Sequence, residues 1–86
     1  MHVDIYTKDG CPDCLMAKRL LGVQQVQFTE QKLGEHFTRE ILLERFPGAQ
    51  KFPVIVVDGM NIGSYTQLKT LLEEQGSQQK NLLLEG

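Results

Sequence analysis

The rhythm of apolar and polar residues changes several times along the chain, and each change predicts an element. Val3 and Ile5 alternate with His2 and Asp4, and Tyr6-Thr7 keeps a β-favouring composition, so residues 2 to 7 are predicted to form a strand. Lys8-Asp9-Gly10 breaks it. Pro12 suits the first turn of a helix, where its missing N–H has no intrahelical partner to lose. Cys14, Ala17, Leu20 and Leu21 then recur at helical spacing, with Lys18 and Arg19 pointing out, and Gly22 is expected to stop this helix. Val26 and Phe28 alternate with Gln25, Gln27 and Thr29, a second strand with one buried face. A strand–helix–strand unit of this length is a right-handed crossover that makes its strands parallel.

Residues 30 to 34 are polar and hold Gly34, as a loop would. From Glu35 to Phe46, Phe37, Ile41, Leu42 and Phe46 share one helical face, while Arg39, Glu40, Glu44 and Arg45 lie largely outside; Pro47-Gly48 ends the run. Val54-Ile55-Val56-Val57 is an unbroken β-branched stretch, predicted to be buried on both faces and central in its sheet. Asp58-Gly59 signals a tight hairpin into Met60-Asn61-Ile62. Gly63-Ser64 precedes a last helix whose Leu68, Leu71 and Leu72 face the core. Residues 1 to 76 are predicted to be the folded domain and 77 to 86 a flexible tail, with Ser77 to Asn81 solvated and Leu82-Leu83-Leu84 frayed rather than docked. The order is βαβαββα, a four-stranded mixed sheet flanked by helices: a thioredoxin-like α/β layout in its shortest form.

Composition narrows the function classes. At 86 residues, 41% apolar and 23% charged, the chain has material for one small core, and no apolar run reaches the length of a membrane span. Met1-His2-Val3-Asp4 has neither a basic region nor a small-residue cleavage site, so a cytoplasmic location with thiols reduced at rest is expected. A net charge of -2 offers no basic surface for phosphate backbones; neither nucleic acid nor membrane is an expected partner, and a monomer is.

Both cysteines fall in Lys8-Asp9-Gly10-Cys11-Pro12-Asp13-Cys14, where the strand pattern gives way to the helix pattern. That placement suggests a dithiol redox centre. The thiolate is the nucleophile in disulfide exchange, and the unpaired N–H groups and partial positive charge of a helix N-terminus favour it at the first cysteine. Cys11 is thus the expected nucleophile. Cys14, one turn later on the inward face, is expected to stay a thiol until Cys11 carries a mixed disulfide, and then to resolve it. Lys8 adds positive charge beside Cys11, whereas Asp13 opposes a thiolate and is expected to raise the Cys11 pKa. Two other readings remain: half of a zinc site with His2 and His36, or a structural disulfide, which so short a loop would stabilise little and a reducing compartment would not keep.

With the dithiol, Pro53 and Gly63-Ser64 in place, the sequence resembles the glutaredoxins, nearest the short bacterial and bacteriophage type, over residues 1 to about 75. Three segments carry the likeness. Lys8 to Cys14 looks like the family's active-site segment, Phe52-Pro53-Val54-Ile55 is similar to its Thr-Val-Pro segment, and Asp58 to Ser64 to its strand-turn ending in two glycines. The resemblance implies a cis peptide bond before Pro53, and a Phe52 backbone that pairs with the cysteinyl part of glutathione by a short strand addition. It implies that the amides of Tyr65 and Thr66, after Gly63-Ser64, hold the γ-glutamyl carboxylate, as helix N-termini hold anions. Lys8, Gln50 and Lys51 are then candidates for the glycyl carboxylate.

Four departures weaken recognition of glutathione's charged ends: Asp13 for the usual tyrosine, Ser64 for the second glycine, Thr66 for the usual acid and Gln50 for the usual arginine. The implied activity is thiol–disulfide oxidoreduction of protein disulfides and glutathione mixed disulfides through Cys11 and Cys14. Glutathione is the implied reductant, no metal is expected, and ribonucleotide reductase is a family-suggested client. The alternatives are a redoxin served by thioredoxin reductase, or a non-catalytic binding protein, either an iron–sulfur carrier ligated by Cys11 and glutathione across a dimer or an interaction module.

Overall fold

A computed structural model describes residues 2–74, so the domain boundary near Gly76 and the expectations for Ser77 to Leu84 lie outside the described residues. Four strands, β1 (Val3–Thr7), β2 (Phe28–Lys32), β3 (Val54–Val57) and β4 (Met60–Gly63), form one sheet in the order β2-β1-β3-β4. β1 pairs in parallel with β2 and antiparallel with β3, and β3 pairs antiparallel with β4. The helices are α1 (Pro12–Val23), α2 (Arg39–Arg45) and α3 over 65–74. This is the expected βαβαββα order.

Period-two alternation divides the core between the two faces of the sheet. Val3, Ile5 and Ile55 point to one face, where they meet Ala17 and Leu21 of α1 and Leu68 and Leu72 of α3. Tyr6, Val54 and Val56 point to the other, against Phe37, Leu42 and the half-buried Phe46 and Phe52. Tyr6 makes edge-to-face contacts with both Phe37 and Phe46, at centroid distances of 5.1 and 5.8 Å. Helices thus cover both faces, and the β1–α1 loop emerges at one end of the sheet. Asp58 and Gly59 turn the β3–β4 hairpin with φ of 50° and 82°, the paired positive values that a two-residue type I′ connection requires.

The structure corrects three boundaries. Gly22 does not stop α1, which runs to Val23 and ends where Gln25 takes a φ of 58°; an exposed glycine costs a helix only about 1 kcal/mol, too little to end one tied down by Ala17 and Leu21. β2 lies later than its alternation suggested: Gln25 to Gln27 precede it, and the polar residues 30 to 32 are strand, not loop, because pairing with β1 supplies their backbone partners while Glu30 satisfies its carboxylate on neighbouring side chains. α2 starts at Arg39 rather than Glu35, since the Thr38 hydroxyl accepts the Ile41 N–H at 3.2 Å and caps it. Phe37 therefore enters the core from the loop, and Ile41 is exposed rather than inward.

Candidate active site

The β1–α1 loop makes Cys11 the N-cap of α1. Its backbone is extended, its sulfur accepts the Cys14 N–H at 3.1 Å, and its carbonyl takes the first helical bonds from Cys14 and Leu15. Pro12 follows at the first helical position, as its fixed φ favours. Cys11 and Cys14 are joined in a disulfide. Cys14 is 2% exposed whereas Cys11 is half-buried, so a partner arriving from solvent meets Cys11 first. A dithiol in this arrangement can exchange disulfides in two steps, one sulfur reached from outside and the other attacking from behind.

Two cavities meet at Lys8. One, of about 450 Å³, holds both cysteines with Thr7, Lys18 and Glu30. The other, a groove of about 350 Å³, is lined by Arg39, Gln50, Lys51 and Phe52. The Lys8 ammonium lies 5.5 Å from the centre of the Phe52 ring and the Arg39 guanidinium 5.7 Å, so two cations stand over one aromatic ring. The Phe52–Pro53 peptide is cis, as the resemblance implied, and Pro53 is buried. Lys8, Gln50, Lys51 and Phe52 are therefore brought together. Arg39 is the groove residue that sequence reading missed: a helix begun at residue 35 puts it on the outer face, whereas a start at the Thr38 cap, a signal present in the sequence, places it at the first turn.

A smaller cavity, about 130 Å³, shares Gln50 and Lys51 with that groove and reaches Gly63 and Ser64 at the start of α3. The Leu68 N–H bonds to the Ser64 carbonyl at 3.1 Å, which makes Ser64 the N-cap. Gln67, three residues on, folds back so that its Oε1 accepts the Ser64 N–H at 2.8 Å, one half of a capping box. The other half is unmade, and the buried Ser64 hydroxyl has no partner among the described residues. Gly63, at φ 119°, sits in a backbone conformation that a side chain would strain, and an added Cβ would stand 2.6 Å from Gln67 Cγ and push that side chain from its place. Sequence reading missed Gln67 too. Tyr65, Thr66 and Asp13 line none of these three cavities; Asp13 is exposed in the first turn of α1.

Four of the charged side chains that line the dithiol pocket form two pairs, Lys18 with Glu30 and Lys32 with Asp9. The Thr7 hydroxyl donates to Glu30 at 2.7 Å and the Lys18 ammonium at 3.1 Å. The Thr7 bond, helped by Lys18 and opposed by burial, holds the Glu30 carboxyl below its ordinary value near 4.5. Lys32 bridges to Asp9 at 2.8 Å, which raises its pKa above the ordinary 10.5. His2 faces Asp4 at 3.3 Å and the His36 Nδ1 accepts the Lys32 N–H, so neither histidine joins Cys11 and Cys14. Among the described residues no group of three or more His, Cys, Asp or Glu is placed to hold a metal, and no helix is long and apolar enough to cross a membrane.

Comparison with known proteins agrees with this geometry. A family profile described as glutaredoxin matches residues 3–62. A probable glutaredoxin of Synechocystis is 39% identical over 67 residues, covering 77% of this chain, which in turn spans 62% of that relative's length. Glutaredoxin 3 of Escherichia coli is 38% identical over 71 residues, 81% of this chain and 84% of the relative. Among solved structures, glutaredoxin 1 of Francisella tularensis, complexed with cacodylate, superposes with a TM-score of 0.72 at 26% identity, covering 88% of this chain and 96% of that one.

Proposed function

The chain belongs to the glutaredoxin family of thiol–disulfide oxidoreductases, and from that premise we propose that it reduces protein disulfides and glutathione mixed disulfides with glutathione as its electron source. The observation that carries this reading is the Cys11–Cys14 disulfide at the N-terminus of α1, opening through Lys8 onto a cation-flanked groove. Cys11 attacks the substrate disulfide. Glutathione's extended backbone lies along Phe52-Pro53, with its glycyl carboxylate toward Lys8, Gln50, Lys51 and Arg39. Its γ-glutamyl carboxylate is directed to the start of α3, at Gly63, Ser64, Tyr65 and Thr66. For protein disulfides Cys14 resolves the intermediate; two molecules of glutathione then restore the dithiol and leave as glutathione disulfide. Disulfide-containing proteins are the proposed clients, ribonucleotide reductase among them, and the cytoplasm the proposed location.

Gln67 gives a second reading a specific footing. Its amide already occupies the Ser64 N–H, so a carboxylate that uses this N–H beside those of Tyr65 and Thr66 has to displace it, which lowers the glutathione affinity and favours electrons from thioredoxin reductase. A coupled assay decides between them. Turnover of a glutathione mixed disulfide with glutathione, glutathione reductase and NADPH is the expected result; turnover by thioredoxin reductase alone would overturn the first reading.

A further inference from the structure

The pocket below the dithiol contains a charged assembly that the exchange at Cys11 does not use. Cys14 and Lys18 stand four residues apart on α1, so Lys18, expected to point outward, instead shares a helix face with Cys14 and lines the pocket with it, drawn there by Glu30. The Lys18 ammonium is held there by Glu30 at 3.1 Å, and Glu30 in turn by the Thr7 hydroxyl at 2.7 Å; Thr7 is buried. The other charges facing the pocket are Lys8 and Asp9 from the β1–α1 loop and Lys32 from β2. Asp9 is bound to Lys32, so three cations meet two carboxylates, and the excess is positive.

We propose that Lys18, fixed in the pocket by Glu30 and Thr7, eases ionisation of the buried Cys14 thiol and so sets the rate of the resolving step, with Glu30 as its positioning residue. The proposal rests on Cys14 resolving mixed disulfides at Cys11. In that step Cys14 gives its proton to solvent, and its thiolate attacks the Cys11 sulfur of the mixed disulfide. The Cys11–Cys14 bond forms as the bond from Cys11 to the substrate sulfur breaks. The leaving thiolate takes the electron pair and then a proton; the substrate is reduced and the dithiol oxidised. Burial alone penalises the Cys14 thiolate, and an ammonium lining the same pocket, where cations outnumber carboxylates, offsets part of that penalty. Glu30, kept ionised by its two donors, holds the ammonium in place.

The neutral probe 4,4′-dithiodipyridine separates the steps in stopped flow on the reduced protein: the first thiopyridone is released by Cys11 and the second by Cys14. Losing the ammonium is expected to raise the pH midpoint of the second phase by about one unit. At pH 7 the thiolate fraction then falls about ten-fold, and the stronger nucleophile recovers about three-fold of that, so the second phase of Lys18→Met runs about three-fold slower. The first phase is expected to be unchanged, Lys18→Arg to restore the second, and Glu30→Gln to slow the second phase alone. An unshifted second-phase profile in Lys18→Met, or equal slowing of both phases, would overturn the proposal. Absence of a Cys14-dependent second phase in the unmutated protein would instead overturn the resolving role itself.

Discussion

Two helix N-termini flank the proposed glutathione site, and the chain treats them oppositely. At the start of α1 the cap is a sulfur, which accepts the Cys14 N–H and can carry a full negative charge when reduced. At the start of α3 a neutral amide from Gln67 takes the Ser64 N–H, and a buried hydroxyl is left without a partner among the described residues. Backbone and helix dipole are alike in both; what differs is whether the group that answers them is reactive or merely satisfies them. Thr38 at α2 shows the ordinary structural outcome, a hydroxyl bound to Ile41 N–H and nothing more. A helix terminus thus becomes a reaction centre only where the capping atom itself does chemistry.

The comparison breaks most visibly at Cys11. Cys11→Ser keeps a polar cap yet is expected to bring turnover of protein and mixed disulfides to the uncatalysed background, because a hydroxyl is not an exchange nucleophile at neutral pH. Removing the plug at α3 sharpens the contrast. Gln67→Ala gives up a competing hydrogen bond of about 1 kcal/mol, so the apparent KM for glutathione is expected to fall about five-fold with kcat held. A rise in KM would make Gln67 a contact rather than a competitor.

Asp13 tests the α1 terminus from the opposite direction. Its carboxylate stabilises the helix start but repels the thiolate by about 0.3–1 kcal/mol, so Asp13→Asn is expected to lower the Cys11 alkylation midpoint by about 0.2–0.7 pH units. The smallest effect concerns Glu30. Its carboxyl is depressed in the folded state, so its contribution is present above pH 4.5 and fades as pH falls through the lower folded value. Half-exposed as it is, the contribution is no more than about 1 kcal/mol. Urea melts of Glu30→Gln are expected to show that loss at pH 7 and to converge with the unmutated protein in acid.

Local rules made much of this molecule legible. β1, the hairpin at Asp58-Gly59 and the Cys11–Cys14 helix start each follow from residues within a turn or two of one another, and all appear as read. Features set by a distant strand, or by a cap that the apolar periodicity hides, did not. The strand character of Glu30 to Lys32 depends on β1 beside it, and no periodicity announces a polar edge strand. Arg39 reaches the groove because Thr38, not Glu35, begins α2. Gln67 stands at the capping-box spacing from Ser64, which the leucine periodicity of α3 hides, and its fold back to Ser64 needs Gly63 to leave space for it.

The most direct test is the alkylation rate of Cys11 in the fully reduced protein, followed against pH. With the sulfur held by the free amides that begin α1, the midpoint is expected at least about one unit below the 8.5 of an unperturbed cysteine. A midpoint at about 8.5, that of a short unstructured peptide, would contradict it.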